Sequence, residues 1–339
     1  MSRKHPVNIG LIGAGRIGSF HGETVARRLV DANLVAIADP APGAAEALAA
    51  RLDVEHAYSD AAQLLAQPGL DAVIVATPAR FHTNIVVQAA EAGKAVFCEK
   101  PMALTLDEAE RAIAAARAAN VPLQVGFNRR WDPAFAQARA ALDAGKIGTP
   151  QLLRSLTRDP GPFGGDPGRI PLWTIFYETL IHDFDTLLWL NAKAHPVEVH
   201  AIADALVRPD ARAKGFLDTA VVTIRFDNGS IAVAEANFSA LYGYDIRGEV
   251  FGSGGMVTMG DVRRSSMTLF DASGVSSDTW RRDTEHFVGA YTAQLASFAK
   301  AVQRGDFTEG PTGEDARCAL RIALACIDSV EKGVPVAVK

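Results

Sequence analysis

The chain has 339 residues, 48% of them hydrophobic and 22% charged, enough for two domains that each bury a core. Its formal net charge is −5, and no Lys/Arg run reaches five, which argues against nucleic acid as the main partner. No apolar run is long enough to span a bilayer, which argues against a membrane location.

The first third alternates strand and helix signals. VNIGLIGAG is a short apolar run ending in glycines, followed by SFHGETVARRLVDAN with helical periodicity. NLVAIADP, LDAVIVATP and KAVFCEKP are three more buried strands, with Ala-rich helical segments near 43–51 and 83–92. Apolar strands alternating with helices predict a Rossmann-like, doubly wound parallel sheet covered on both faces. TLDEAERAIAAARAAN predicts a helix with a Thr105–Glu108 capping box and a left-handed end at Asn120. VPLQVGF then closes a first domain near residue 125, which divides the chain into 1–125 and 126–339.

Beyond that point the texture changes. DPAFAQARAALDAGKIG predicts a helix ended by Gly145, and IFYETLIHDFDTLLWL a helix over 175–190. DTAVVTIRFDNGSIAVAEANF reads as two strands joined at Asn228-Gly229, a strong hairpin signal. DIRGEVFGSGGMVTMG and SSMTLFDA continue the strands, and GEDARCALRIALACIDSVEKG is a last helix. The second domain is therefore expected to be α+β, with a large open antiparallel sheet. Cys98, Cys318 and Cys326 form neither a disulfide framework nor a C-x-x-C metal site, which fits a reducing compartment. With no recognisable secretory signal, a cytoplasmic location is expected.

Gly13-Ala14-Gly15-Arg16-Ile17-Gly18 has the spacing G-x-G-x-x-G, follows a strand and opens a helix, as a dinucleotide site requires. Gly13 allows the tight turn, Gly15 lets backbone approach a pyrophosphate, and Gly18 lets helix and strand pack closely. Asp39 ends the second strand, 21 residues after Gly18. A carboxylate there accepts hydrogen bonds from an adenosine ribose and repels a 2′-phosphate, which favours NAD over NADP. Thr77 and Pro78 end the third strand beside this predicted site.

Glu99-Lys100-Pro101 lies at the carboxyl end of a buried strand, where doubly wound sheets place their ligand crevice. A lysine there suits proton handling at a hydroxyl; the alternative is a surface lysine beside a turn proline. In the helix over 175–190, Glu178, His182 and Asp185 are spaced by four and three, which puts them on one face among apolar neighbours. A proton-handling pair and a solvated cap interaction both fit that spacing. A further ligand set is absent, so no metal is expected.

At these motifs the chain resembles a known family. G-x-G-R-I-G-x-x-H (Gly13 to His21), Ala76-Thr77-Pro78, Glu99-Lys100-Pro101 and the I-H-D-F-D helix are similar to the glucose–fructose oxidoreductase/inositol dehydrogenase (Gfo/Idh/MocA) family. GFNRRWDPAF, TRDP, TLIHDFD and YGYDIRGEVFGS are most similar to its inositol 2-dehydrogenase branch. The resemblance implies NAD-dependent oxidation of a secondary hydroxyl of a cyclic polyol, inositol first, with Lys100, Glu178 and His182 catalytic. It also implies that Gly13, Ala14, Gly15, Arg16, Ile17, Gly18, Asp39, Thr77, Pro78 and Glu99 hold the cofactor. Asn128, Thr157, Asp159, Thr179, Tyr242 and Tyr244 would meet the substrate, the two tyrosines from one face of a strand.

The chain departs from the family pattern at position 178, which is Glu where Asp is expected. The stretch FGGDPGRIPLWTIF also carries no Gly-Gly pair directly before the helix. The alternatives are dehydrogenation of another sugar, tightly held NAD without net redox, or a non-catalytic dinucleotide and sugar sensor. A sheet face that one helical layer does not cover, together with family analogy, suggests a homodimer or homotetramer.

Overall fold

The computed structural model describes residues 5–161, 170–305, 307 and 309–339. Its contacts divide the chain into two compact units, Met1–Trp131 with Gly289–Arg317, and Asp132–Val288 with Cys318–Lys339.

The first unit is built on six parallel strands: β1 (Val7–Ile12), β2 (Ala32–Ala38), β3 (His56–Tyr58), β4 (Ala72–Val75), β5 (Ala95–Cys98) and β6 (Leu123–Val125). Their order is β3-β2-β1-β4-β5-β6, a doubly wound arrangement with its switch point between β1 and β4. All residues of β4 and β5 are buried, as strands covered on both faces must be. The helices of this half are α1 (Arg16–Arg28), α2 (Ala44–Leu52), α3 (Ala61–Leu65), α4 (His82–Glu91) and α5 (Leu106–Ala118). The capping box at α5 is present, with Thr105 Oγ1 accepting from the Glu108 amide and the Glu108 carboxylate accepting from the Thr105 amide. Asn120 follows the helix in the left-handed conformation, at φ 53°. Strand β3 was not anticipated, because its three half-buried residues carry no apolar run.

The grouping differs from the sequence-based division, which placed all of 126–339 in one domain: residues 126–131 and Gly289–Arg317 fall in the first unit. Val288–Arg304 lies almost wholly in the first unit, and its Leu295, Phe298 and Ala299 share one buried cluster with Ile9, Leu11, Ile74 and Phe97. Burial decides this membership, and chain position does not report it.

The second unit carries a seven-stranded sheet ordered β12-β11-β7-β10-β9-β8-β15. Its strands are β7 (Pro150–Arg158), β8 (Pro196–Asp204), β9 (Thr219–Phe226), β10 (Ile231–Asn237), β11 (Asp245–Gly252), β12 (Gly255–Met259) and β15 (Val336–Ala337). The hairpin at Asn228-Gly229 joins β9 and β10 as the sequence indicates, with Gly229 at φ 85°. The sheet is mixed, however, not antiparallel throughout: β7 runs parallel to β10. The connection from β7 to β8 passes through the helix at 181–190, and such a crossover returns the chain in the same direction. Periodicity identifies strands but not their direction. SSMTLFDA does not extend this sheet either; β13 (Leu269–Asp271) pairs with β14 (Gly274–Ser276) as a separate exposed hairpin.

The inner face of the sheet is covered by helices. Ile181–Leu190 buries Ile181, Phe184, Leu187 and Leu190, and in Gly313–Lys332 the Ser329 hydroxyl accepts the Ala201 amide of β8. On the other face Phe251, Leu152 and Ile231 stand directly across β11, β7 and β10, each close to half exposed. Among the described residues, no helix is long and apolar enough to cross a membrane.

Candidate active site

In the first unit the chain leaves β1 at Gly13, whose φ of 105° most side chains avoid. A Cβ at Gly13 would lie 2.6 Å from the Ala76 carbonyl oxygen, and one at Gly18 only 1.9 Å from the Gly13 oxygen. Both glycines are therefore fixed by close backbone approach. Gly15 is the opposite case: it is exposed, and a Cβ there would meet nothing within 4 Å. That open surface leaves room for a phosphate group at the start of α1, where backbone amides point outward. Asp39 closes this end of the site. Its carboxylate accepts the Ala14 amide at 2.7 Å and the Ala41 amide at 2.8 Å, which fixes its position beside the loop.

Thr77 and Pro78 follow β4 on the other side of the switch point. The Thr77 hydroxyl is buried and has no hydrogen-bond partner among the described residues, so a bound molecule is the natural source of one. Together the open surface at Gly15, the fixed Asp39 carboxylate and this hydroxyl fit a dinucleotide. Arg16 is exposed, whereas Ile17 packs against the buried cluster and serves the fold.

Glu99 and Lys100 sit just past β5, Glu99 buried and Lys100 half-buried, and the Lys100–Pro101 peptide is cis. One Glu99 oxygen meets His21 Nε2 at 2.7 Å, and the other accepts the Lys100 amide at 3.1 Å. Burial alone pushes the Glu99 carboxyl up. The His21 hydrogen bond and the nearby His21 and Lys100 charges outweigh burial and hold the group below its usual range. Glu99 thus contacts the backbone of the lysine it precedes, and Asn128, also buried, opens the short turn Asn128–Trp131 after β6.

The second unit carries the other expected residues. Glu178 and Thr179 fall in a π-helical segment, Ile175–Leu180, and the α-helix Ile181–Leu190 follows with His182 in its first turn. Glu178 and His182 thus stand on either side of the junction between the π-segment and the regular helix. The segment is entered through Trp173, a bulky residue at φ 66°. Of the stretch FGGDPGRIPLWTIF before it, residues 163–169 lie outside the described residues.

His182 is followed by Asp183, which is completely buried. Its carboxylate accepts the Ser155 hydroxyl at 2.5 Å and the Thr157 hydroxyl at 2.7 Å, both from β7. Thr157, expected at the substrate, thus gives its hydroxyl to the helix that carries His182. Asp159, half-buried beyond β7, is tied by its backbone to Asn237 and Ala240.

Tyr242 and Tyr244 do not stand on a strand, since β11 begins only at Asp245. Gly243, at φ 131°, donates its amide to the Ala240 carbonyl and turns the chain. The Tyr242 phenol donates to Asp245 at 2.7 Å and also meets Arg158, while the Tyr244 amide donates to Trp280. Among the described residues no group of three or more His, Cys, Asp or Glu side chains could hold a metal.

Sequence reasoning gave no role to Asp183, His21 or His82. Asp183 and His21 lie within the helical runs read above and His82 just before the segment near 83–92, yet they reach partners as far as 28, 78 and 19 residues away. Two outcomes follow. Asp183→Ala should destabilise the protein by about 2–3 kcal/mol in urea unfolding, because it leaves two buried hydroxyls without their acceptor. Glu99, with its folded-state value depressed, contributes stability that is present above the ordinary carboxyl value of 4.5 and lost as pH falls below it. Glu99→Gln should therefore flatten the acid side of the stability–pH curve.

Residues 7–127 match the oxidoreductase family with an NAD-binding Rossmann fold (GFO/IDH/MocA), and residues 135–258 match the GFO/IDH/MocA C-terminal domain. The myo-inositol 2-dehydrogenase of Thermotoga maritima is 37% identical over 96% of this chain and 97% of its own. The scyllo-inositol 2-dehydrogenase (NAD(+)) of Bacillus subtilis is 36% identical over 98% of this chain and 96% of its own. The crystal structure of scyllo-inositol dehydrogenase from Lactobacillus casei, with bound NAD(H) and scyllo-inositol, superposes with a TM-score of 0.90. It is 28% identical and covers 98% of this chain and 99% of its own. With both halves matched and relatives aligned from end to end, the chain belongs to the GFO/IDH/MocA oxidoreductase family.

Proposed function

We propose that the protein is an NAD-dependent inositol dehydrogenase that oxidises one ring hydroxyl to a ketone. The observation that carries this reading is end-to-end similarity to inositol 2-dehydrogenases in a chain that keeps Asp39, Lys100 and His182. Dehydrogenation removes a hydride from the ring carbon and a proton from its oxygen. NAD, when bound, takes the hydride at the nicotinamide ring.

The remaining work falls to side chains. His182 accepts the hydroxyl proton and releases it to water, a role suited to an imidazole near neutral pH. Lys100 donates a hydrogen bond to the same oxygen and stabilises the negative charge that develops there. Glu178 favours the charged form of His182; as the longer acid it reaches further than the Asp of related enzymes, a difference that bears on which inositol is preferred. Asn128, Thr157, Asp159, Thr179, Tyr242 and Tyr244 are the proposed polyol contacts. The Asp39 carboxylate, fixed by two amides, binds the adenosine ribose hydroxyls and disfavours a 2′-phosphate.

Initial rates of NADH formation with myo-, scyllo- and D-chiro-inositol, repeated with NADP, test this reading. Turnover on one inositol with NAD and at least about tenfold less efficiency with NADP is the expected pattern. Lys100→Met and His182→Ala should each lower kcat by at least about a hundredfold while NADH still binds. Full activity in either variant removes that residue from the mechanism.

The row formed by Phe251, Leu152 and Ile231, with Val221 beside Ile202 on the neighbouring strands, is an exposed apolar surface suited to a second copy of this chain. Static light scattering should give the mass of two or four chains, and Ile231→Lys should reduce it. A monomeric mass for the unmodified protein contradicts the proposal.

A further inference from the structure

Two buried histidines touch the Glu99-Lys100-Pro101 turn from opposite ends, and neither has a part in the chemistry above. His21, on α1, is completely buried and meets the Glu99 carboxylate at 2.7 Å. The ring is itself wedged edge-on against Phe97 and Tyr291, with centroids 5.8 and 5.7 Å away. The other Glu99 oxygen accepts the Lys100 amide, so the chain of contacts runs from α1 through a carboxylate to the lysine backbone.

His82, the first residue of α4, is 1% exposed. Its Nδ1 stands 2.8 Å from the Pro101 carbonyl oxygen and its Nε2 2.7 Å from the Thr77 carbonyl oxygen. A neutral ring donates to only one of these acceptors, and donating to both takes the imidazolium. In either form the ring bridges the segment after β5 to the segment after β4.

Gly126 supplies an independent sign that this arrangement is built. It follows β6, and a Cβ there would lie 2.8 Å from one Glu99 carboxylate oxygen and 3.2 Å from the other. The absence of a side chain at 126 is what leaves room for the carboxylate between α1 and the lysine turn.

The geometry points to His21 and His82 as positioning residues for Lys100. His21 acts through Glu99 on the amide before the lysine side chain, and His82 acts on the carbonyl just after it. Between them they hold the backbone on both sides of the residue that binds the reacting oxygen, at the Lys100 amide and at the Pro101 carbonyl. This inference rests on the role given to Lys100 above. A displacement of 1 Å at a catalytic group is enough to cost about a hundredfold in rate without weakening cofactor binding.

The test compares kcat for the best inositol, the KM for NAD and the Kd for NADH across a variant set. His21→Ala and His82→Ala are expected to lose at least about thirtyfold in kcat, with the NADH Kd within about threefold of the unmodified protein. His21→Gln keeps a donor for Glu99 and should recover kcat to within about fivefold. Gly126→Ala alters no charge but crowds the Glu99 carboxylate, and it should reproduce the loss in kcat.

The inference is overturned if folded His21→Gln and His21→Ala are equally impaired, or if the loss appears in NADH affinity instead of kcat. It is also overturned if Gly126→Ala and His82→Ala both turn over at the normal rate. Should His21→Ala fail to fold, His21→Gln, Gly126→Ala and His82→Ala decide the matter. Lys100→Met separates the two readings: full turnover there refutes the lysine's role and the positioning role with it. Loss there, beside normal rates in the histidine variants, refutes the positioning role alone.

Discussion

A carboxylate buried beside a histidine is the constraint around which the first unit is arranged. Glu99 is 5% exposed, and a charge removed from water is tolerated only when hydrogen-bonded and paired. The structure meets that requirement from several elements at once. Helix α1 provides His21, the lysine turn provides an amide, and a glycine just after β6 keeps the space open. Because the same carboxylate contacts the Lys100 backbone, satisfying the buried charge also decides where the lysine begins. Stability and placement of the proposed reactive group are here one interaction.

The second unit repeats this logic with different chemistry. Asp183 is buried on the helix that carries His182, and its carboxylate accepts hydroxyls from strand β7. These two bonds fix the helix against β7. The helix is irregular where it matters, with a π-segment through Glu178 and Thr179 immediately before the regular turns. Single π-turns recur at functional sites because the local loss of regular hydrogen bonding re-aims side chains. At Glu178, where the resemblance leads one to expect Asp, the backbone is also not that of a plain helix.

The dinucleotide half shows how few atoms need to be fixed. Gly13 and Gly18 are set by contacts that admit no Cβ, whereas Gly15 is set by the need to leave a surface open. Asp39 is held by amides of the loop itself and of the turn after β2, so the carboxylate proposed to read the ribose and the glycine loop are tied together. Such preorganisation lowers the entropy lost when a cofactor binds.

By itself the sequence determined the features that depend on short spacing. The glycine loop and Asp39, the Thr105–Glu108 cap, the left-handed Asn120 and the Asn228-Gly229 hairpin each involve residues a few positions apart, or strand ends set by a local apolar run. Backbone sterics and local hydrogen bonds impose these, so they can be read from residue types alone. Tertiary structure decided the rest. It made β7 parallel to β10, grouped Val288–Arg304 with the first unit, and turned the chain at Gly243 before the expected tyrosine strand. It also joined His21 to Glu99 across 78 residues, and Asp183 to Thr157 and Ser155 across 26 and 28. Spacing cannot encode such pairs, because burial selects the partner: a polar group closed off from water must bond to whatever the fold brings beside it.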